Sequence, residues 1–466
     1  MSGIKKIVIG VGPIIAFTAS MFMGLSLQMS FAISITSLVI LTTLLMWKYR
    51  LAASVSGLAI LFLTGLLPFK LFLKYAHLDI ILFLLGMMTI VGYLEENNYF
   101  EYLVSKMIPL LHGKPKLFVV VMMMTASFFA AVVDEVTAIL FMSVIMLELS
   151  SIYQLDIRRV ILPITYAVII GGSATVMGNP VAILVAFQGG LTMADFAVWA
   201  TPITLLSLAI LIGMVMILFK TEIRKLEENM GRVPLDEIVS TLSSEARNTG
   251  KATILFVVVI GSIILHSQIT QLLNLLGADI TPKVVLVAIS LLGAGAILAT
   301  EGEEGVVIFI HRVDWQTLVF LLSFFSIVGS LDHVGVLGMI SDAIVKAAGG
   351  DEGLMFLYIA GITGTLSPVM DNVLTVATLS PIVNGLGELG VNTVPIWFGM
   401  LFAGIFSALA TPIGTSASLV MMGLLERRRV RLITFGEWIR VGLPSAVLIL
   451  GIAITITYIR AYGLPI

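Results

Sequence analysis

Apolar positions along this chain neither alternate nor recur only at helical spacing. They come in near-continuous runs separated by short polar stretches. The runs near 7–27, 31–47, 53–69, 78–95, 160–188, 200–219, 251–268, 283–300, 315–331, 396–423 and 440–460 approach or exceed the roughly 20 residues of helix that cross a bilayer. Two further runs, 117–149 and 353–385, carry an acidic residue partway along and are long enough for two short helices and a turn. That pattern predicts a re-entrant hairpin in each. Backbone that turns at membrane depth is tolerated only where protein or water covers it, so the acidic tips are expected inside the protein. The predicted fold is an all-α polytopic membrane protein of eleven transmembrane helices plus two re-entrant hairpins. A membrane barrel would show weak alternating strands instead.

The second half echoes the first. Asp134-Glu135-Val136 recurs as Asp371-Asn372-Val373, 237 positions later. Ala174-Thr175-Val176-Met177-Gly178 recurs as Ala410-Thr411-Pro412-Ile413-Gly414, 236 positions later. Val91-Gly92-Tyr93-Leu94 matches Val328-Gly329-Ser330-Leu331, Asp79 matches Asp314, and Phe196 with Trp199 matches Phe435 with Trp438. Duplicated halves with polar breaks inside apolar segments are the signature of a secondary transporter. The expected organisation is a first helix in 1–30, one repeat in 31–220, a cytoplasmic linker in 221–250 and a second repeat in 251–466. Each repeat holds five crossings and a hairpin, and an odd number of crossings inverts the repeats relative to each other.

Charge supports this topology. With the N-terminus inside and both hairpins returning to their own side, 21 of the 26 lysines and arginines fall on the cytoplasmic face. Only Lys70, Lys74, Lys283, Lys346 and Arg460 fall outside. This is the asymmetry of the positive-inside rule, and it places the protein in the plasma membrane with its C-terminus outside. The run after Lys5 and Lys6 is too long for a signal peptide and reads as a first helix. The chain is 59% hydrophobic and 12% charged, against about 25% charged in soluble proteins. The formal net charge of −2 gives no footprint for nucleic acid. There is no cysteine, hence no disulfide and no thiolate metal site. No His-x-x-x-His pair, phosphate loop or nucleophile-base set is present, so neither an enzyme nor an ATP-driven pump is expected; no cofactor is expected either, a sodium ion being expected as substrate or coupling ion. The Arg427–Arg431 run reads as an anchor to membrane lipid of negative charge.

The chemistry is expected at the tips and at the Gly- and Pro-rich breaks. A charge at mid-bilayer costs roughly 2.5–3.5 kcal/mol on insertion scales, which makes Asp134 and Asp371 functional candidates, with Glu135, Asn372 and Thr137 beside them. The competing reading takes the aspartates as helix caps in surface loops. Breaks in a helix free carbonyls and amides that suit small ions. Ser173, Thr175, Asn179, Thr411, Thr415 and Ser416 add neutral oxygens there. The competing reading of these motifs is small-residue helix packing.

These motifs resemble the ion transporter superfamily, which includes dicarboxylate/sodium symporters, arsenite pumps, NhaD-type sodium/proton antiporters and the melanosomal P protein. The tips look like the Asp-Asn tips of the antiporter and P-protein branch, not the Ser-Asn-Thr of the dicarboxylate carriers. Glu135, where that branch has Asn, departs from it. The resemblance implies inverted repeats with broken helices, sodium or a proton at the acidic tips, and a homodimer. It also implies an elevator motion, in which hairpins and broken helices move as a block. A buried carboxylate repels a dicarboxylate and is neutralised by sodium, so the expected activity is sodium/proton antiport with sodium at Asp134 and Asp371. The alternative is ion-coupled carriage of a small anion or oxyacid such as arsenite or a dicarboxylate.

Overall fold

A computed structural model describes residues 2–233 and 249–463, and among these all regular structure is helical. The first half runs α1 (Ser2–Phe22), α2 (Leu27–Leu45), α3 (Arg50–Leu63), α4 (Phe69–Tyr75), α5 (Leu78–Glu96) and α6 (Tyr99–Leu111). It continues with α7 (Pro115–Val132), α8 (Glu135–Ile152), α9 (Ile157–Gly171), α10 (Pro180–Gly189), α11 (Met193–Trp199), α12 (Thr201–Leu218) and α13 (Lys220–Met230). The second half runs α14 (Thr249–Ile264), α15 (His266–Leu275), α16 (Pro282–Glu301), α17 (Glu303–His311), α18 (Trp315–His333) and α19 (Val336–Ala347). It ends with α20 (Glu352–Leu366), α21 (Asn372–Glu388), α22 (Val394–Ser407), α23 (Ser416–Arg427) and α24 (Phe435–Tyr462). Nine of the described helices are long and apolar enough to cross a membrane. The count reaches 11 if two bent pairs are each one span: α10 with α11, bent by 111°, and α14 with α15, bent by 68°.

The boundaries follow local chemistry. Asp134 ends the turn after α7 and caps α8, and Asp371 does the same between α20 and α21. Each predicted hairpin is therefore two helices joined at its acidic residue. The span expected over 53–69 is shorter: α3 stops at Leu63 because Gly65 takes φ +69° and Pro68 follows. Of the expected linker, residues 221–233 and 249–250 are described, the last two as the start of α14. Its helix α13 buries Ile223, Leu226 and Met230, and Glu222 accepts from Arg159 at 2.5 Å, so this part is docked rather than freely solvated. The rest of the expected linker up to residue 248 lies outside the described residues.

Packing positions the site. Within each half, the first hairpin arm lies on the broken helix that follows it, α7 on α9 and α20 on α22. Across the halves the second arms exchange partners, α8 on α23 and α21 on α10. The largest buried side chains are aromatic, and α22 contributes Trp397, Phe398, Phe402 and Phe406. Trp438 fixes the second break from α24: its Nε1–H donates to the Leu409 carbonyl at 2.9 Å, and Tyr166 donates to the Trp438 carbonyl at 3.1 Å. A carbonyl freed by unwinding thus finds a buried donor.

Candidate functional site

Both tips are built the same way. The Asp134 carboxylate accepts from Val136 N at 2.7 Å, Thr137 N at 3.1 Å and Thr137 Oγ1 at 2.7 Å. The Asp371 carboxylate accepts from Val373 N at 3.0 Å and from Ser416 Oγ at 2.8 Å. Both aspartates are therefore helix caps, as the competing sequence reading held, but they do not sit in exposed loops. Asp371 is 5% exposed and Glu135 2%, and Asp134 is partly buried. An anion at a helix N-terminus is also favoured by the helix dipole.

The breaks clamp the tips. Unwound backbone at 172–179 separates α9 from α10, and a short 3-10 turn plus extended residues at 408–415 separates α22 from α23. Thr175 Oγ1 donates to the carbonyl of Ala131, three residues before Asp134; Thr411 Oγ1 donates to that of Pro368, three residues before Asp371. The repeat therefore extends to individual hydrogen bonds. Gly171 permits the close approach of the first arm, since a Cβ there would lie 2.2 Å from Ser127 O. Gly414 instead lets the second break fold back on itself, since a Cβ there would lie 2.5 Å from Ala408 O in the same break.

One cavity of about 570 Å³ joins the tips. Of the residues singled out from sequence, it is lined by Asp134, Glu135, Thr137, Asn179, Asp371, Asn372 and Ser416. Asn179 Nδ2 donates to the Glu135 carboxylate, and the Thr415 hydroxyl also faces that carboxylate from the opposite half. Thr175 and Thr411 spend their hydroxyls on hairpin carbonyls and do not line the cavity. Ser173 lies away from it, donating to Ile170 O at 2.8 Å and pairing with Thr204 Oγ1 at 2.7 Å. The Asn372 amide nitrogen is buried with no hydrogen-bond partner, while its oxygen accepts from Val373 N at 2.9 Å. Among the described residues no three His, Cys, Asp or Glu side chains cluster as a metal site. A cation held here must therefore draw on neutral oxygens as well as carboxylates.

Other lining residues are not among the site residues expected from sequence, and Arg427, expected as a lipid anchor, is one of them. Arg50, at the start of α3, stacks its guanidinium 3.9 Å from the Trp47 ring centroid and donates to Thr317 Oγ1 at 3.1 Å. It faces Asp371 and Asp314 electrostatically. Glu95, Arg312 and Arg427 complete the mouth, where Arg312 pairs with Glu95 at 3.7 Å and also with Glu96. Each of these stands at a helix end, where the sequence gives the same signal as an ordinary membrane-surface charge.

A family model described as citrate transporter matches residues 37–290 and 279–465, nearly the whole chain. The chain belongs to the citrate transporter family. This places it within the ion transporter superfamily that its tips and breaks resemble. Among curated proteins it is similar to an uncharacterized transporter of Mycobacterium tuberculosis, 28% identical over 394 residues, covering 83% of this chain and 87% of the relative. A 46 kDa membrane protein of Mycobacterium leprae is 27% identical over 80% of this chain and 84% of the relative. The human P protein is 22% identical over 80% of this chain, which spans 52% of that longer protein. In this citrate-transporter-family member, the match covers both tips and both breaks.

Proposed function

We propose that this membrane transporter exchanges sodium for protons by alternating access, with Asp134, Glu135 and Asp371 as the ion-carrying groups. The observation that supports this most is the convergence of three carboxylates from both halves on one cavity. Neutral oxygens of Thr137, Ser416 and Asn179 line the same space, and oxygen is the ligand type that a hard cation takes. A carboxylate that binds sodium only when ionised makes proton and metal compete for one group. Net charge then stays bounded in a low-dielectric site.

A second reading has its own observations. A volume of 570 Å³ far exceeds what a sodium ion needs. The unpaired Asn372 amide nitrogen and the Arg50 guanidinium are donors that call for an acceptor. These favour ion-coupled carriage of a small anion such as a carboxylate or arsenite, and the family's description names citrate as a transported anion.

Reconstituted vesicles separate the readings. Under exchange, an inward sodium gradient drives protons out of vesicles holding a pH-sensitive dye. Below the site's own pKa, apparent sodium affinity weakens as pH falls, approaching tenfold per pH unit for each proton exchanged. Proton movement that ignores sodium but requires citrate or arsenite would transfer the assignment to the second reading.

A further inference from the structure

The two halves end their broken helices with the same turn but with different residues in it. After α10, Gly190 takes φ +64° and Leu191 N donates to Ala186 O at 2.9 Å. After α23, Arg429 takes φ +55° and Val430 N donates to Leu425 O at 3.0 Å. This is the left-handed close of a helix, where glycine is the unstrained choice. The second half holds an arginine there instead. The next feature also matches: Thr192 with Asp195, and Thr434 with Glu437, form capping boxes. Leu191 runs straight into its box, whereas Arg431, Leu432 and Ile433 are inserted before the second one. The first half shows that the fold needs neither the insertion nor the arginines.

All the arginines of this loop, Arg427, Arg428, Arg429 and Arg431, are exposed, and Arg440 follows. Two acids stand near them, and one, Glu437, is shared between Arg431 and partners outside the loop. Glu437 accepts from Arg158 at 2.8 Å and from both the amide and the hydroxyl of Thr434, and Glu426 is the other acid. Apolar side chains stand beside the charge, Leu432 at 37% exposure and Phe435 at 55%. On α24 the outward face stays apolar from Leu443 to Val447, about 12 Å beyond Phe435 at 1.5 Å per residue. The arginines therefore stand next to the exposed apolar surface of α24, the juxtaposition that an amphiphile with an anionic head would match.

We infer that the loop from Arg428 to Ile433 is a binding site for the headgroup of an anionic phospholipid, held to α23 and through it to the ion site. It lies at one end of α23, whose other end presents Ser416 to Asp371, and Arg427 stands between loop and cavity. A headgroup bound here restrains the helix that shapes the tip. This consequence for transport rests on the exchange reading above, whereas lipid binding itself does not.

The test uses the purified full chain in a neutral detergent. A short-chain phosphatidylglycerol, a matched phosphatidylcholine and inorganic phosphate are titrated separately against Gly423→Cys, with maleimide labelling as the readout. The native chain has no cysteine, and position 423 lines the cavity with open space around its Cβ. Phosphatidylglycerol should slow or speed labelling saturably, and the other two should not. Each juxtamembrane arginine contributes roughly fivefold to affinity for anionic lipid. The triple change Arg428→Gln, Arg429→Gln and Arg431→Gln should therefore weaken the response on the order of a hundredfold. Replacing the same three with lysine should largely preserve it. Equal responses to both lipids, an unaltered response in the glutamine variant, or a response to phosphate alone would each overturn the inference. Because no flux is measured, a failure of sodium exchange leaves this result standing.

Discussion

Asp371→Asn is expected to reduce sodium-driven proton movement to the protein-free background while leaving the fold in place. The substitution keeps an oxygen to accept from Val373 N, now made at 3.0 Å. Its amide nitrogen would face Ser416 Oγ, a hydroxyl able to accept as well as donate, in place of the oxygen that accepts at 2.8 Å. Loss of capping strength should thus cost no more than about 1 kcal/mol. What disappears is the charge that, in the proposed exchange, alternates between proton and sodium. Asp134→Asn belongs to the same class, since its carboxylate also caps a helix and lines the same cavity. Dye-loaded vesicles measure the flux and detergent unfolding measures the fold. A variant that is folded and still exchanges at the wild-type rate would remove Asp371 from the mechanism.

Gly171→Ala is expected to destabilise the protein by about 1–3 kcal/mol, the usual cost of an overpacked contact, and to loosen the first hairpin. The added methyl would lie 2.2 Å from Ser127 O, 2.6 Å from its Cα and 2.7 Å from its carbonyl carbon. All three are backbone atoms of α7 and cannot swing aside, so the arm must shift bodily from α9. The shift also strains the bond from Thr175 to Ala131 that seats the Asp134 tip. Gly261→Ala is the control. Gly261 also lies in a helix but has nothing within 4 Å of its Cβ, and there alanine should be neutral or stabilising by about 0.5–1 kcal/mol. Thermal unfolding of both variants in detergent checks the contrast. Equal midpoints would show that the arm does not rest on α9 as described.

The reach of the sequence can be judged residue by residue. Helices were legible because membrane spans announce themselves as apolar runs, and the breaks because glycine and proline interrupt them in register. The acidic tips were legible because a carboxylate inside such a run is costly. The clamping bonds are not legible: the sequence offers Thr175 and Thr411 as ion oxygens, and in the structure their hydroxyls donate to the carbonyls of Ala131 and Pro368. A threonine beside a break carries one signal for both uses, and only the position of a carbonyl distant in sequence separates them. Ser173 was grouped with them on the same grounds and instead packs against Thr204 of α12. Arg50 and Glu95 were missed for the opposite reason. Charges at helix ends are the rule in membrane proteins, so nothing local sets apart the few that a cavity collects. Span three came out short because Gly65 and Pro68 lie inside an apolar run whose hydropathy hides them.

In the proposed exchange, sodium and protons compete for carboxylates in one cavity. Proton release on sodium binding tests it without vesicles. Purified protein in weakly buffered detergent is brought to a pH at which the site is largely protonated, and sodium chloride is added while pH is recorded. The expected result is a saturable release of protons that potassium does not reproduce at the same ionic strength and that Asp371→Asn diminishes. No release with sodium, together with proton uptake or release on adding citrate or arsenite, would contradict it.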